Sequence, residues 1–574
     1  MASVHSDLLD VVVIGGGWSG ILICKYAKEH GLKVAVLEQR KNIGGVWCFS
    51  ENPAVTTVMK TTKTSSSATT TEMSDFPMPD KIGEFPKHDD IYKYLNSYVE
   101  HFKLKDHFRF NCKVKCVRKY DTSWNIEVED GQIYRSKNIA VCSGIHQRPD
   151  FTAKESLLKD FTGTINHSGE FKDFQEEHRG KKVLIIGGGE TASDILDAWY
   201  PHCEQIIWCI PRGQHFFRKY AKLLPNRKPQ ALDKASSRAL KLVSPHAKSK
   251  PGLAWVCKWT TMGSLLAYQG HGIPEFRNNA AFFHSFINKH AHVLDFIDYQ
   301  RVIPKGAIAS AKGKEIEFVD GDTLEADHII LCSGYITEFP FLPSNLQSVQ
   351  FRENYKFVFS HEDPSLAFIG FVRPIVGSIP SIAEMQAQWV AKVWSNKIPL
   401  SDSKTRALEI KEDAKFWSNY FKNTSQRLQT LVEGYTYLDD IAKISCVYPD
   451  YWSLFKHSPR DGFTAYFAPY NGCSYRLNEP DMQIQAMETL RRHSHNTITP
   501  LNLLLNLFLR VIWFDWFLDQ VSLMKYWCQT NSLLQKLGNS RLGRAIDYLW
   551  TTPKRYLFDN VTGHESQPDN MNCT

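Results

Sequence analysis

Twice along this chain a run of branched apolar residues ends in a cluster of glycines, and that repetition constrains the fold more than any other feature. Residues 11–14 (VVVI) lead into Gly15-Gly16-Gly17-Trp18-Ser19-Gly20, and residues 183–186 (VLII) lead into Gly187-Gly188-Gly189-Glu190-Thr191-Ala192. In such a turn the first glycine permits the tight bend, the second lets the backbone approach a pyrophosphate, and the third allows close helix–strand packing. Gly15, Gly17 and Gly20 fill those places in the first copy; in the second, Ala192 replaces the last glycine, which the pattern tolerates. The strands that follow end in opposite charges. Residues 34–37 run into Glu38, and residues 206–210 run into Pro211 and Arg212, with Arg218 and Lys219 nearby. An acid at that strand end accepts hydrogen bonds from a ribose diol, whereas an arginine accommodates a 2′-phosphate. One chain is therefore expected to hold an unphosphorylated adenine dinucleotide and NADPH together, as a flavoprotein reductase or oxygenase does.

The rest of the composition narrows the class by exclusion. At 574 residues the chain has room for about three to four domains. A net charge of +7 is mild for this length, and no long basic tract interleaves with aromatics, so no nucleic acid partner is expected. The 13 cysteines form no CxxC pair, which argues for reduced intracellular thiols and against a disulfide reductase. No zinc-type spacing stands out, so no metal is expected. The first strand begins by about residue 10, leaving no room for a cleaved signal peptide. Asn166, Asn423 and Asn560 sit in N-x-S/T triplets, which are taken as chance matches.

Several segments stand apart. Nine of the eleven residues in 61–71 are Ser or Thr, a composition expected of a surface loop. Residues 218–258 hold eleven Lys or Arg against one acid, Asp233. This is expected to be a solvated face, or else a surface that meets anionic lipid or the 2′-phosphate. Residues 327–335 (DHIILCSGY) close the second nucleotide unit and return the chain to the first. From about 496 the chain becomes very apolar, but Arg510, Asp515 and Asp519 interrupt residues 501–520. That stretch either lies on a membrane surface or is buried against the enzyme body.

Between the two glycine clusters lies Phe161-Thr162-Gly163-Thr164-Ile165-Asn166-His167-Ser168-Gly169-Glu170-Phe171. This resembles the FxGxxxHxxx(Y/F) signature of class B flavoprotein monooxygenases, and its continuation resembles the flavin-containing monooxygenases in particular. Baeyer–Villiger relatives usually show Trp-Pro at the end of the signature, where Phe171-Lys172 stands here. The resemblance extends to Gly44-Gly45-Val46-Trp47, Asp75-Phe76-Pro77, Cys332-Ser333-Gly334-Tyr335 and Glu384-Met385-Gln386, and covers roughly residues 8–490.

The resemblance implies an α/β fold with two Rossmann-like domains. A larger, discontinuous FAD domain (1–165 and 336–495) would enclose a smaller NADPH domain (166–335, with a basic insertion about 213–290). A mostly helical, apolar C-terminal extension (496–574) would follow. It also implies a chemistry in which NADPH reduces FAD and O2 adds to the flavin as a C4a-hydroperoxide, which oxygenates the nitrogen or sulfur of a small amine or sulfide. The cofactor does the chemistry while the protein orients and dries the site, so no protein nucleophile is required. By motif, Gly15, Gly16, Gly17, Trp18, Ser19, Gly20, Glu38, Gly45, Val46 and Trp47 would hold FAD. Gly187, Gly189, Thr191, Ala192, Ser193, Asp194 and Arg212 would hold NADP, and His167 would organise the region between the domains. Two positions depart from the family. Lys63, followed by Thr64, stands where the family places an asparagine that contacts flavin and NADP⁺. A cation there would either stabilise a peroxyflavin anion, as Baeyer–Villiger chemistry exploits, or shorten the hydroperoxide lifetime. Gln388 replaces a commonly basic residue. The nearest rivals are a Baeyer–Villiger oxygenase or an NADPH oxidase with the same cofactors; from a different class, a catalytically silent dinucleotide-binding scaffold. The expected location is cytoplasmic, on the endoplasmic reticulum membrane if the extension attaches there.

Overall fold

The computed structural model describes residues 4–494 apart from 222–229, 236–237, 239–272, 279–283, 348–349, 422–427 and 470. Residues 11–14 and 34–37 carry no polar side chain and are buried throughout, as strands must be when both faces of their sheet are covered. They belong to β1 (Val4–Ile14) and β2 (Val34–Leu37), which pair in parallel on either side of the helix α1 (Trp18–Glu29) in sequence. With β3 (Phe108–Arg109), β4 (Val114–Tyr120), β5 (Ser123–Val128) and β6 (Ile133–Val141) they form a sheet of order β3-β2-β1-β6-β5-β4. A strand from far along the chain, Leu366–Phe368, joins β6 in parallel.

The second sheet is wholly parallel. It is built from β7 (Thr164–His167), β8 (Lys182–Ile186), β9 (Gln205–Cys209), β10 (Val302–Lys305) and β11 (His328–Leu331), in the order β10-β9-β8-β11-β7. The helix α2 (Glu190–Trp199) follows β8. Pro304 lies on β10, an edge strand, where its missing N–H breaks no ladder. The sheet's first strand in chain order begins at Thr164.

The chain passes between the sheets twice, and the two passages are tied together. Arg148–Pro149 pairs antiparallel with Tyr335–Ile336. Ser333 Oγ donates to the Asp150 carbonyl at 2.6 Å, and Arg148 grips Glu338 through two N–H groups at 2.9 and 3.1 Å. Behind the first sheet, helix α3 (Ile379–Trp394) packs along α1.

Two expectations fail in the folded protein. The Ser/Thr-rich tract is no surface loop: Thr64, Ser67, Thr69, Thr70 and Thr71 are buried, and Ala68–Thr71 forms a short helix. Its polar groups are satisfied by partners distant in sequence, which removes the cost of burying them. Asp233 Oδ2 accepts from Ser67 N (2.6 Å) and Thr70 Oγ1 (2.9 Å), Asn471 Nδ2 donates to Thr69 O, and the hydroxyls of Ser378 and Ser381 donate to Thr70 O. The basic run is likewise not a free face where it is described. Arg218 pairs with Asp295, Lys234 with Glu84, and Lys219 lies over the Phe85 ring. Arg238 is buried on Asp439 at 2.9 Å among the rings of Tyr435, Tyr448, Tyr451 and Tyr475. The remaining cations of the run, and the whole 496–574 extension with its membrane reading, lie outside the described residues. Among the described residues no helix is long and apolar enough to cross a membrane.

Candidate functional site

The first glycine turn is forced by its neighbours. Gly15 has φ +105°, and a Cβ there would sit 2.6 Å from the Cys142 carbonyl oxygen; at Gly20 it would sit 1.9 Å from the Gly15 carbonyl oxygen. Gly17 precedes α1 with no side chain capping the helix, so the first-turn N–H groups point at open space. Gly45, at φ +55°, faces Gly17: a Cβ added to Gly45 would lie 3.1 Å from the Gly17 Cα. The two bare glycines thus let these backbones approach closely beside the start of α1, where a diphosphate slot can form. Arg40 holds the far wall, donating to the carbonyls of Gly45 (2.9 Å) and Cys48 (2.6 Å). Val46 and Trp47 stand half-buried on that wall. Glu38 closes the strand end, its two oxygens accepting from Gly16 N (2.6 Å) and Arg40 N (2.8 Å). Burial pushes its carboxyl above the usual range, the two N–H bonds pull it back, and spare lone pairs remain for a diol.

Two side chains here have other duties. The Trp18 indole turns into the core, where it donates to Met73 Sδ, so only its backbone faces the slot. Ser19 lies against Gly370, whose added Cβ would meet Ser19 Oγ at 1.9 Å. Gln386, from the Glu384-Met385-Gln386 motif, fixes that approach by accepting from Gly370 N at 3.0 Å.

The second turn repeats the logic. Gly187 has φ +135° against the Cys332 carbonyl, and a Cβ on Gly188 would strike Ile210, whereas a Cβ on Gly189 would find nothing within 4 Å. The cradle opens at Gly189, which precedes α2 without a side-chain cap. Thr191 is exposed at that helix end while Ala192 and Ser193 are buried behind it. Glu190 is held by residues from far along the chain: its Oε1 accepts from Lys289 N (3.0 Å) and its Oε2 stands 3.0 Å from the His290 ring. Asn288 braces the turn, donating to Gly188 O (3.0 Å) and Ser193 Oγ (2.8 Å). Nothing local marks residues 288–290 as members of this site; they lie about a hundred residues downstream. Arg212 is exposed just beyond β9.

The two units touch at a junction formed by residues 62–64 and α2. Thr62 Oγ1 reaches Asp194 Oδ2 on α2 at 3.4 Å, and burial raises the Asp194 carboxyl to about 7. Lys63 itself is exposed, and its backbone bridges to Lys87. Thr64 is buried, and among the described residues its Oγ1 has no hydrogen-bond partner. His167 is fully buried; its Nδ1 accepts from Gly169 N (3.1 Å) and its Nε2 donates to the Gly334 carbonyl (2.9 Å). That pattern is satisfied only by the neutral ring, and burial depresses its pKa accordingly. The rest of the motif is equally local in cause: a Cβ at Gly163 would strike the Asp327 carbonyl, and at Gly169 the Tyr335 hydroxyl. Phe171 is buried against Trp199, and Lys172 staples the motif to the loop at Val55 by donating to Gly169 O and Val55 O. A cavity of about 530 Å³ lined by Phe151, Leu158, Phe161 and Ile165 shares no residue with either cradle.

Buried neutral histidines in the second unit make stability depend on pH. Burial lowers His328 to about 3 and His290 well below its ordinary value, and His328 stacks 4.1 Å from His178. Because these folded-state values lie below the unfolded value near 6.5, the unfolded chain takes up protons first as pH falls. The contribution of these rings is therefore full above about pH 7.5 and declines toward pH 5, by roughly 2 kcal/mol for each at pH 5. The Asp194 carboxyl, raised to about 7, acts in the opposite sense, so the His328 contribution is read from denaturant titrations at pH 7.5 and 5 as the difference between the parent and a His328 variant. His328→Gln, which can keep the bond to Asn166, should remove that decline; an unchanged pH slope in that variant refutes the assignment.

The profile of the family described as "FMO-like: Flavin-binding monooxygenase-like" matches residues 9–504. Flavin-containing monooxygenase 2 of Homo sapiens is 27% identical over 513 residues, covering 86% of this chain and 92% of that protein. The 4-hydroxybenzoate brominase (decarboxylating) of Pseudoalteromonas luteoviolacea is 28% identical over 484 residues, covering 82% and 90%. Among solved structures, S-allyl-L-cysteine S-oxygenase from Allium sativum aligns with a TM-score of 0.55 at 18% identity, covering 85% of this chain and 99% of that one. Cyclohexanone monooxygenase from Rhodococcus sp. Phi1 bound to NADP+ aligns at 0.55 and 15%, covering 78% and 98%. These structural likenesses bear on the fold. The protein is thus a flavin-dependent monooxygenase that uses FAD and NADPH, and the chain belongs to the flavin-binding monooxygenase-like family.

Proposed function

We propose that the chain forms a C4a-hydroperoxyflavin and uses it to oxygenate the nitrogen or sulfur of a small amine or sulfide. The observation that carries this reading is a pair of glycine cradles in two units that touch at the Thr62–Asp194 contact, with no redox cysteine pair between them. When bound, FAD supplies the oxygen activation; the residues bind, orient and exclude water. On this reading Gly15–Gly20, Glu38 and the Gly45–Trp47 wall hold FAD. Gly187, Gly189, the first turn of α2 and Arg212 hold NADP. His167, neutral and buried, ties the motif to the returning linker and exchanges no proton. The FAD unit comprises 1–165 and 336–495 and the NADPH unit 166–335, with 496–574 as the candidate contact to a cytoplasmic-side membrane.

Rapid mixing of NADPH-reduced enzyme with O2 tests the reading: a long-lived hydroperoxyflavin is expected, followed by N- or S-oxide from a tertiary amine or a sulfide. Immediate return to oxidised flavin identifies an NADPH oxidase, and a lactone or ester from a ketone identifies Baeyer–Villiger chemistry. A colourless protein that consumes no NADPH leaves only a scaffold. Exposed at the end of β9, Arg212 is the residue proposed to select the 2′-phosphate. Arg212→Ser should raise the KM for NADPH by about ten- to a hundredfold while leaving NADH little changed. An equal change for both cofactors would assign the phosphate elsewhere.

A further inference from the structure

The junction contains two cations that the described protein does not neutralise. Arg373 follows Gly370, the residue pressed against Ser19 of the flavin cradle, and its backbone is fixed by a bond from its N–H to Thr430 O at 2.9 Å and by pairing with Leu431. Lys289 lies three residues past Phe286, the ring that the Arg373 guanidinium covers, and its own N–H is bound to Glu190 beside the α2 helix. Among the described residues neither side chain makes a hydrogen bond or ion pair. The Arg373 guanidinium lies over the face of Phe286, 5.0 Å from the ring centroid, which leaves its hydrogen-bonding edge available. His146, from the outgoing linker, is near enough to feel the Arg373 charge, and packs edge-on to Tyr335, which in turn packs on His167.

The electrostatics of this space are one-sided. Glu190 and, for Lys289, Asp233 are the carboxylates whose charges act on the pair. Glu190 is already engaged by the Lys289 N–H and crowded by His290, and Asp233 is spent on Ser67 and Thr70. The two cations also repel, and enclosure pushes both groups below their ordinary pKa values. Both nevertheless keep part of their surface in solvent. An enclosed surplus of positive charge beside an apolar ring is a site for an anion with an apolar body.

We propose that Arg373 and Lys289 bind an anionic group of the organic substrate, so that the preferred soft nucleophile carries a carboxylate. This rests on the oxygenation reading above. The phosphates of NADP have donors elsewhere, in the open end of α2 at Gly189 and in Arg212, whereas Arg373 belongs to the flavin side of the junction. A carboxylate seated across Arg373 and Lys289 holds the rest of the molecule against Phe286.

The test compares 3-(methylthio)propanoate with its neutral methyl ester, using the FAD-loaded enzyme with NADP⁺. Binding is read from the flavin absorbance and turnover from sulfoxide formation. The carboxylate should bind with a Kd about tenfold or more below that of the ester. Arg373→Gln and Lys289→Met should each reduce that preference, Arg373→Lys should retain part of it, and Arg373→Gln should leave the affinity for NADPH within about twofold. Equal binding of acid and ester by the unmodified enzyme overturns the proposal. So does an Arg373→Gln variant that loses NADPH affinity while keeping the preference. If the acid binds through Arg373 but neither probe is oxygenated, the anion site stands and the oxygenation reading falls.

Discussion

Gly20→Ala is expected to purify without flavin, or not to fold at all. The added methyl group would lie 1.9 Å from the Gly15 carbonyl oxygen, where real contacts fall no closer than about 3.0 Å. Neither side can retreat. Gly15 is pinned by its N–H bond to Leu37 O at 2.9 Å and by the Cys142 carbonyl behind it, and α1 is packed along α3. Relief requires the start of α1 to move by about 1 Å, which displaces the N–H groups that face the diphosphate slot; misplacement on that scale costs on the order of a hundredfold in function, besides the strain of overpacking. Gly189→Ala is the informative partner. Its φ of −80° suits any residue and its Cβ meets nothing within 4 Å, so this variant should fold and stay yellow. The same methyl group would occupy the mouth of the second cradle, and the KM for NADPH should rise on the order of tenfold. Flavin content from the visible-to-ultraviolet absorbance ratio, with steady-state kinetics, separates the two. A fully flavinated Gly20→Ala would mean that the helix yields where its packing says it cannot.

That contrast also shows which parts of the molecule are legible in sequence. The glycine turns, the strands that feed them and the opposite charges at Glu38 and Arg212 are local patterns whose causes lie within about 25 residues. The motif at 161–171 is legible too, because Gly163, His167 and Gly169 each answer to a backbone oxygen or a ring that approaches too closely for anything else. What composition misjudges is decided by distant partners. The Ser/Thr tract looks like a loop until Asp233, Ser378 and Asn471 supply its hydrogen bonds from over 160 to about 400 residues away. Arg238 looks solvated until Asp439 takes it inward. Glu190 looks awkward beside a phosphate until Lys289 and His290 take hold of it. Hydrophobic periodicity carries no information about such contacts, since both partners are polar and neither lies in the other's window.

The largest of these unreadable features is a buried ionic cluster under α1, and removing its centre should cost the most stability. Arg476, 6% exposed, donates to Ser74 Oγ (2.8 Å), Glu479 (2.6 Å) and the Tyr26 hydroxyl, and lies 3.6 Å from Asp75 and 3.7 Å from Glu384. Lys25 adds a second cation, 2.5 Å from Asp75, and Tyr26 and Ser74 both donate to Glu384. Arg476→Met leaves Lys25 as the one remaining cation of the cluster against Asp75, Glu384 and Glu479. Breaking a buried pair in this way typically costs about 3–5 kcal/mol, because a charge is stranded rather than because the pair itself was worth that much. The deficit should shrink with acidification. Burial and the neighbouring Asp75 charge already hold the Glu384 carboxyl above its ordinary value, and loss of the guanidinium raises it further. The folded variant then binds a proton that the unfolded chain does not, so its stability rises as pH falls. Arg476→Lys keeps the charge but not the planar fork, and should lie between the variant and the parent. Denaturant unfolding at pH 7.5 and 5.5 measures all three proteins; a midpoint for Arg476→Met equal to the parent's, or a deficit that grows on acidification, contradicts the cluster's role. Because Lys25 and Tyr26 lie on the helix whose first turn forms the flavin cradle, the loss should be felt there too, as flavin released at a lower denaturant concentration than in the parent.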